Sequence, residues 1–336
     1  MRYRLLGRTG LRVSELFLGA MVFGHPHGSS PAESAQMLDL YAEAGGNVID
    51  TASAYGDSEA ILGELLAGRR DRFVVATKYT LSRDHGDVNA AGNHRKNLRS
   101  SLEASLRRLR TDYIDLLWVH VWDRHTPIEE TLRALDDAVS AGKVLYVGFS
   151  DVPAWVVSRA DAIAEWRGWT PFAAVQVPYN LLQRDIERDV LPMAEHLGLT
   201  VAAWGPLAGG VLSGKHSGAG HSSPPTGTRV DVRSLSARDH AAARAVMAVA
   251  DEIGATASQV AIAWARARSR AIHPIVGARS VAQLKDDLGA VDVVLPPEAV
   301  QRLDAAVEFD IGFPTAFLDE TSTFVYGEPV NRVDGR

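Results

Sequence analysis

Residues 48–56 read Val48-Ile49-Asp50-Thr51-Ala52-Ser53-Ala54-Tyr55-Gly56. The apolar run ends at Asp50, a turn of small residues follows, and Tyr55 stands near the end of that turn. A helical pattern begins at Ser58, with apolar residues three and four positions apart. The segment therefore predicts a strand, a loop and a helix. It also places a carboxylate and a phenol at the carboxyl end of the strand, where α/β folds keep their catalytic groups.

The same strand–loop–helix pattern recurs along the whole chain. Eight short apolar runs without alternation predict strands that are buried on both faces, and a helical pattern follows each of them. The predicted strands are Leu16–Leu18, Val48–Asp50, Phe73–Lys78, Ile114–His120, Val144–Ser150, Ala173–Val177, Leu199–Trp204 and Ile272–Val276. Eight such units in 336 residues favour an α/β fold of the (β/α)8 TIM barrel type, with residues 1–336 forming a single domain.

Three segments lie outside this repeat. Arg2–Leu6 and Leu11–Val13 flank a Gly-bounded turn and predict an N-terminal hairpin. Gly214–Ser234 is a long loop after the seventh strand, and a loop of that length is expected to serve the catalytic face. The tail Glu308–Arg336 has little periodicity but four phenylalanines, so we expect it to fold over the barrel mouth.

Two local signals predict details of the helices. Residues 126–129 read Thr-Pro-Ile-Glu, which predicts a capping box at the start of the fourth helix. The helical pattern of residues 185–197 contains Pro192, which predicts a kink there.

Composition excludes several classes of function. The net charge of −6 and the pI near 6.0 argue against a nucleic-acid partner. The absence of cysteine excludes disulfides, thiol catalysis and thiolate metal ligands. The first residues have no signal-peptide pattern, and no apolar run reaches the roughly 20 residues of a membrane span. We therefore expect a cytoplasmic protein without a membrane partner; its oligomeric state stays open.

Phosphate-loop and metal motifs are incomplete. No GxGxxG follows a strand, and residues 209–215, which have P-loop spacing, are followed by His216 where Ser or Thr would contact Mg²⁺. His25 and His27 follow the first strand and are candidate zinc ligands of a barrel hydrolase. The fifth, sixth and eighth strands, however, end in Ser, Gln and Gly instead of further ligands. We predict no metal site, and a metal-dependent hydrolase remains a minor alternative.

Four polar residues stand at consecutive strand ends: Asp50, Tyr55, Lys78 and His120. In a barrel they would converge on one patch of the carboxyl face. A lysine ammonium stabilises tyrosinate and lowers the pKa of a nearby phenol, and a carboxylate would hold that lysine. A histidine beside them can donate a hydrogen bond to a substrate oxygen. The set therefore predicts a proton donor that faces a carbonyl group.

The chain resembles the aldo-keto reductases along nearly its whole length. The matching segments, in chain order, are 18–19 and 23–24, 47–52 with 55–56 and 58–59, 62–63, 76–78, 101–109, 112–116, 142–144 with 147–150, 176 with 179–180, 206–210 and 274–280. The resemblance implies that Asp50, Tyr55, Lys78 and His120 are the catalytic residues, with Tyr55 as the general acid. It also implies reduction of an aldehyde or ketone by NADPH, with NADH as a possible substitute.

The resemblance further implies where this cofactor binds. Ser150, Asp151 and Gln176 would hold the nicotinamide carboxamide, and Trp204 would stack on the ring. The segment from Gly205 to Leu212, with Lys215, would follow the pyrophosphate. The cofactor residues so implied are Ser150, Asp151, Gln176, Trp204, Gly205, Pro206, Leu207, Gly209, Leu212, Lys215, Gly277, Arg279, Ser280, Gln283 and Asp287. Among them Arg279, Ser280 and Gln283 would contact the adenosine 2′-phosphate, and Asp287 the adenine.

This chain departs from the family pattern at three cofactor positions. Asp151 and Asp287 stand where Asn is usual, so each keeps acceptors and loses an amide donor when ionised. Gly205 stands where Ser is common, which removes one phosphate contact. The catalytic positions are unaffected.

The substrate is less well defined by the sequence. Phe23, Trp122 and Phe317 are candidate walls of a pocket for an apolar or mixed carbonyl compound. A second functional class is also open: some relatives of this barrel serve as regulatory subunits that hold the cofactor and turn over slowly.

Overall fold

The computed structural model describes residues 1–25, 27–216 and 234–333. An antiparallel hairpin of β1 (Tyr3–Leu5) and β2 (Arg12–Ser14) precedes a closed barrel of eight strands, and every pair of neighbouring barrel strands is parallel. The barrel strands are β3 (Phe17–Gly19), β4 (Val48–Asp50), β5 (Val74–Tyr79), β6 (Ile114–Val119), β7 (Val144–Ser150), β8 (Ala174–Pro178), β9 (Thr200–Trp204) and β10 (Ile272–Val276). The predicted TIM barrel and the hairpin before it are confirmed.

Helices surround the barrel. They are α1 (Pro31–Glu43), α2 (Ser58–Leu65), α3 (Arg95–Leu109), α4 (Ile128–Ser140), α5 (Ala154–Arg167), α6 (Val190–His196), α7 (Ala237–Ile253), α8 (Ala257–Ala267), α9 (Val281–Leu288), α10 (Pro297–Ala305) and α11 (Thr315–Tyr326). Local chemistry sets their starts: Ser30 accepts from the amide of Glu33 at α1, and Thr256 and Gln259 form a capping box at α8.

Strand register brings the polar strand ends to one level. Asp50 on β4 pairs with Gly19 on β3 and with Ala76 on β5. Ser150, the last residue of β7, pairs with Gln176 on β8. Because the strands are parallel, their carboxyl ends meet at the same rim of the barrel, so residues from different strands face one space.

The barrel interior is filled by a compact apolar cluster. Trp118 of β6 is fully buried there, beside Val48, Ala76 and Ala174 from other strands. A Cβ added at Gly148 of β7 would lie 2.4 Å from the Trp118 ring, so glycine makes room for the indole. The barrel is therefore a packed core below the rim.

The structure corrects three details of the sequence prediction. Helix α4 begins after Pro127 without a side-chain cap, because the Thr126 hydroxyl donates to Asp123 instead. Residues 185–187 form a separate 3₁₀ turn and α6 begins at Val190, so Pro192 lies in its first turn rather than at a kink. The tail contains helix α11, which the sequence did not indicate.

Two of the three segments outside the repeat, the long loop and the tail, are described in part. The predicted loop Gly214–Ser234 lies outside the described residues from 217 to 233. Helix α11 buries none of its residues, whereas Arg188 donates to the carbonyl of Asp310 at the start of the tail. No described residue of the tail lines the cavity at the rim, so its position over the barrel mouth stays a prediction.

Among the described residues, no single helix is long and apolar enough to span a membrane. One pair of helices, α7 and α8, passes such a test by length and composition when taken together, although the two are bent by 99°. Both helices bury a face within the protein.

Candidate active site

A cavity of about 750 Å³ crosses the carboxyl rim of the barrel. Its walls come from the ends of β3, β4, β7, β8, β9 and β10 and from the loops that follow them. At one end the cavity is lined by Asp50, Tyr55 and His120, and at the other by Arg279 and Asp287. A second cavity of about 440 Å³ shares Trp204, Gly205 and Gly209 with the first.

A buried ion pair anchors the first end. The Lys78 ammonium contacts Asp50 Oδ2, and only 1% of the Lys78 residue is exposed. The same ammonium donates to the carbonyl of Thr51 at 2.9 Å, and Gln176 Nε2 donates to Asp50 Oδ1 at 2.9 Å. Burial alone lowers the pKa of Lys78, but the charge of Asp50 reverses this and raises the pKa above its usual value. Lys78 is therefore held as a cation.

Tyr55 lies over this pair. The Lys78 Nζ is 4.8 Å from the centroid of the Tyr55 ring, and the ring meets His120 edge to face at 5.7 Å. Burial raises the pKa of Tyr55, while the charge of Lys78 opposes that shift. The expected lowering of the pKa by Lys78 is present, but the effect of burial is larger and the net shift of the Tyr55 pKa is upward. Tyr55 is thus protonated at neutral pH.

His120 is a neutral imidazole. Burial, with the charge of Lys78, lowers the pKa of His120 to about 3. Its Nδ1 is buried and has no hydrogen-bond partner among residues 1–25, 27–216 and 234–333. A buried ring nitrogen without a partner is uncommon in folded proteins.

The middle of the cavity is shaped by backbone. Trp204 at the end of β9 is 40% exposed, and its indole N–H donates to Asp151 Oδ1 at 3.1 Å. Gly205, Gly209 and Gly210 have positive φ angles of 67°, 67° and 100°. A Cβ at Gly210 would lie 2.5 Å from the Lys215 ammonium, so this turn lets the lysine approach the backbone.

The far end combines a cation with acidic groups. Arg279 and Gln283 line the cavity, and the Arg279 amide donates to Gln283 Oε1 at 3.0 Å. Ser280 caps α9 by accepting from the Gln283 amide. Burial, with the charge of Asp286, raises the pKa of Asp287 to about 7. This end therefore carries a guanidinium beside a carboxyl group that is easily protonated.

Most of the predicted site residues line this one cavity. They are Asp50, Tyr55, His120, Ser150, Asp151, Gln176, Trp204, Gly205, Pro206, Leu207, Gly209, Lys215, Gly277, Arg279, Gln283 and Asp287. Lys78 lies behind Asp50 and Tyr55, and Leu212 is fully buried beneath the wall. The roles of these residues stay predictions.

The three residues predicted to contact the substrate lie in different surroundings. Phe23 is 1% exposed within the hydrophobic core, which corrects the prediction that it faces the substrate. Trp122 packs edge to face on Trp155 and donates its amide to the Asp151 carbonyl at 3.4 Å, so it stands beside the cavity. Phe317 is 53% exposed on α11.

Sequence reasoning missed part of the wall. The unpredicted lining residues are Gly19, Met21, Val22, Ser213, Ser258, Ile262, Ile275, Val276 and Asp286. Those near strand ends follow from barrel geometry, since Gly19 ends β3 and Val276 ends β10. Ser258 and Ile262 come from α8, an additional helix after β9, and no strand-end signal could have found them.

Metal ligands are not grouped in the part of the chain that the structure describes. No set of three or more His, Asp or Glu side chains is placed to hold an ion there. The rings of His25 and His27 lie 5.9 Å apart and lack a third ligand of this kind.

The fold and the cavity define a barrel enzyme with its site on the carboxyl rim. The model of the Aldo/keto reductase family matches residues 15–308, and the chain belongs to this family. It is an NAD(P)H-dependent oxidoreductase.

Several relatives are similar over nearly the whole chain. A norsolorinic acid reductase of Aspergillus flavus is 39% identical over 342 residues, 96% of this chain and 86% of the relative. An aryl-alcohol dehydrogenase (NADP(+)) of Phanerodontia chrysosporium is 39% identical over 338 residues, 94% of this chain and 88% of the relative. The aldo-keto reductase ausK of Aspergillus calidoustus is 39% identical over 331 residues, 93% of this chain and 84% of the relative.

Proposed function

We propose that the protein reduces an aldehyde or ketone to an alcohol with NADPH, and that Tyr55 is the general acid. One observation carries this proposal. One cavity is lined by a protonated, half-buried tyrosine and also by an arginine, so a long anionic cofactor and a carbonyl group have places in the same space.

The residues of the cavity fit such a cofactor. The volume of about 750 Å³ lies within the range of cofactor sites, roughly 300–1,000 Å³. The half-exposed indole of Trp204 offers a face for a planar ring. The positive-φ turn at Gly209 and Gly210 brings backbone and the Lys215 ammonium together, which suits a phosphate group. Arg279 suits a second phosphate because its guanidinium is planar and permanently charged.

The residues around Tyr55 have separate roles in the proposed reaction. Asp50 and Gln176 fix the Lys78 ammonium under the Tyr55 ring, so positive charge is in place where a tyrosinate develops. Tyr55 gives its proton to the substrate oxygen, and neutral His120 donates a hydrogen bond to the same oxygen. When bound, the reduced nicotinamide supplies the hydride for the carbonyl carbon.

The test of the acid is Tyr55→Phe. Purified wild type is assayed with a panel of aldehydes by cofactor absorbance, and the variant keeps the ring but lacks the proton. We expect kcat to fall by about 10²–10⁴-fold with cofactor binding retained. A variant as fast as wild type would refute the mechanism.

The preference for NADPH is a separate part of the proposal. It rests on Arg279 at the far end of the cavity and on the relative whose printed name carries NADP(+). Arg279→Ala should weaken NADPH much more than NADH, because NADH lacks the 2′-phosphate. Equal losses for the two cofactors would count against Arg279 as the phosphate ligand.

We also propose aryl carbonyl compounds as the substrate class. Two relatives have printed names that refer to aryl alcohols or to norsolorinic acid, and Trp122 with its partner Trp155 stands beside the reacting end of the cavity. A benzaldehyde series compared with aliphatic aldehydes of similar size tests this. Equal kcat/KM values for the two series would argue against aromatic selection.

A further inference from the structure

Asp151 is held rigidly at the reacting end of the cavity. It follows β7 directly and adopts a φ of 46°, a left-handed conformation that Asp and Asn tolerate better than most residues. Its amide donates to the carbonyl of Gln176 at 3.0 Å, and its carbonyl accepts from the Trp122 amide at 3.4 Å. The backbone is therefore fixed from both sides, and the side chain lines the cavity.

The Asp151 carboxylate interacts with polar and charged groups of the site, namely Trp204 and Lys78. Its Oδ1 accepts from the Trp204 indole at 3.1 Å, which leaves most of its acceptor capacity for a ligand. Although Asp151 is exposed by surface area, partial desolvation in the cavity raises the pKa of its carboxyl group, and the Trp204 hydrogen bond and the charge of Lys78 oppose that shift. The influence is mutual, because Asp151 is among the charges that raise the pKa of Tyr55.

The charges at this end do not cancel. Lys78 and Asp50 form a neutral pair, and His120 is an uncharged imidazole. An ionised Asp151 therefore leaves one net negative charge beside Tyr55. An asparagine at this position would bind the same hydrogen-bond donor but would carry no charge.

We propose that Asp151 distinguishes the redox states of the cofactor, binding the oxidised nicotinamide more tightly than the reduced one through its negative charge. This inference rests on the proposed function, since it places the nicotinamide beside Tyr55. In that reaction the carbonyl takes a hydride, with two electrons, from the reduced ring and a proton from Tyr55, and the ring is left as a cation. The tyrosinate is then reprotonated from water.

The same charge acts on both partners of the reaction. It attracts the positive charge that grows on the ring as the hydride departs. It also raises the pKa of Tyr55, which keeps the phenol protonated and makes it a weaker proton donor. Both effects act at a position where this chain has Asp and the family pattern has Asn.

The test is Asp151→Asn, which keeps the shape, the acceptor for Trp204 and the tolerance of positive φ. Dissociation constants for NADP⁺ and NADPH are measured by tryptophan fluorescence at about pH 8, well above the ordinary carboxyl range. We expect the ratio of the NADP⁺ constant to the NADPH constant to rise about tenfold, which corresponds to losing one partly screened charge interaction. Thermal shifts with each cofactor provide a second readout.

Asp286→Asn is the matched control. Asp286 also lines the cavity, but at the far end, where oxidised and reduced cofactors are identical. This variant should change both constants by the same factor. An Asp151→Asn protein with an unchanged ratio would overturn the inference and leave Asp151 with a positional role. A wild type that binds neither cofactor would overturn the proposed function and this inference together.

Discussion

Asp50 links the two halves of the candidate site. One of its carboxylate oxygens contacts the Lys78 ammonium beneath Tyr55, and the other accepts from Gln176 on β8. Because a buried charge is costly without a partner, this arrangement keeps Lys78 charged at the point where the proposed reaction forms tyrosinate. Asp50 thus connects Lys78, which lies beneath the proposed proton donor Tyr55, to β8 on another side of the barrel.

His120 leads to a prediction about pH. Because burial and Lys78 lower the pKa of His120 to about 3, the imidazole stays neutral throughout the usual assay range. We expect kcat/KM for carbonyl reduction to show no limb from His120 between about pH 5 and 8, the window in which an unperturbed histidine titrates. His120→Asn, which keeps an N–H donor, should lower kcat/KM and leave the shape of the pH profile unchanged. A limb near pH 6.5 that disappears in the variant would contradict this assignment.

The residue scale also shows how far sequence reasoning reached. It could place Asp50, Lys78 and His120 together because parallel barrel strands end at one rim. It could not foresee that burial outweighs Lys78 in setting the pKa of Tyr55, because burial depends on packing from several strands. Nor could it find the Gln176 contact with Asp50, which joins residues 126 positions apart.

At the scale of elements, the packing of β6 against β7 positions two residues of the candidate site. Trp118 precedes His120 by two residues, and Gly148 precedes Ser150 by two. These two strands pair directly at Trp118 and Gly148, where the indole occupies the space that glycine leaves. The fit between the strands therefore positions His120 and Ser150 at the rim.

Gly148→Ala tests this packing. The new Cβ would lie 2.4 Å from Trp118 ring carbons and 3.1 Å from the Ala174 carbonyl, so the strands or the indole must shift. We expect a loss of about 1–3 kcal/mol in the free energy of unfolding, measured with urea, and a lower kcat/KM.

Gly10→Ala is the matched control, because a Cβ there meets nothing within 4 Å. Its cost should stay within about 0.5 kcal/mol. Equal stability of the two variants would mean that the indole can move without disturbing the barrel.

Elements with a buried face were the ones that the sequence could predict. Strands β4 and β10, and helices α7 and α8, have the predicted bounds because each has a clear apolar pattern and flanking caps or turns. Helix α11 escaped prediction because none of its residues is buried, so no core-facing stripe marks it.

At the scale of the whole molecule, the start of the tail contacts the barrel at Phe309 and Asp310. The guanidinium groups of Arg184 and Arg188 lie 4.6 and 4.9 Å from the Phe309 ring, and Arg188 donates to the Asp310 carbonyl. Beyond Gly312, the exposed residues of α11 include Phe317, which the sequence assigned to the substrate pocket. We therefore expect the tail before Gly312 to affect the free energy of unfolding and α11 to affect substrate binding.

Truncation at two positions tests this separation. A chain that ends at Gly312 should keep its free energy of unfolding to within about 0.5 kcal/mol, since α11 buries no residue. A chain that ends at Val307 also loses the contacts of Phe309 and Asp310, and should be less stable by about 1–3 kcal/mol. If Phe317 contacts the substrate, the chain that ends at Gly312 and the Phe317→Ala variant should both have a higher KM for an aryl aldehyde. Neither should show a matching change in cofactor affinity. An unchanged KM in both proteins would show that Phe317 is not part of the pocket. Equal losses of stability in the two truncated chains would contradict the exposed position of α11.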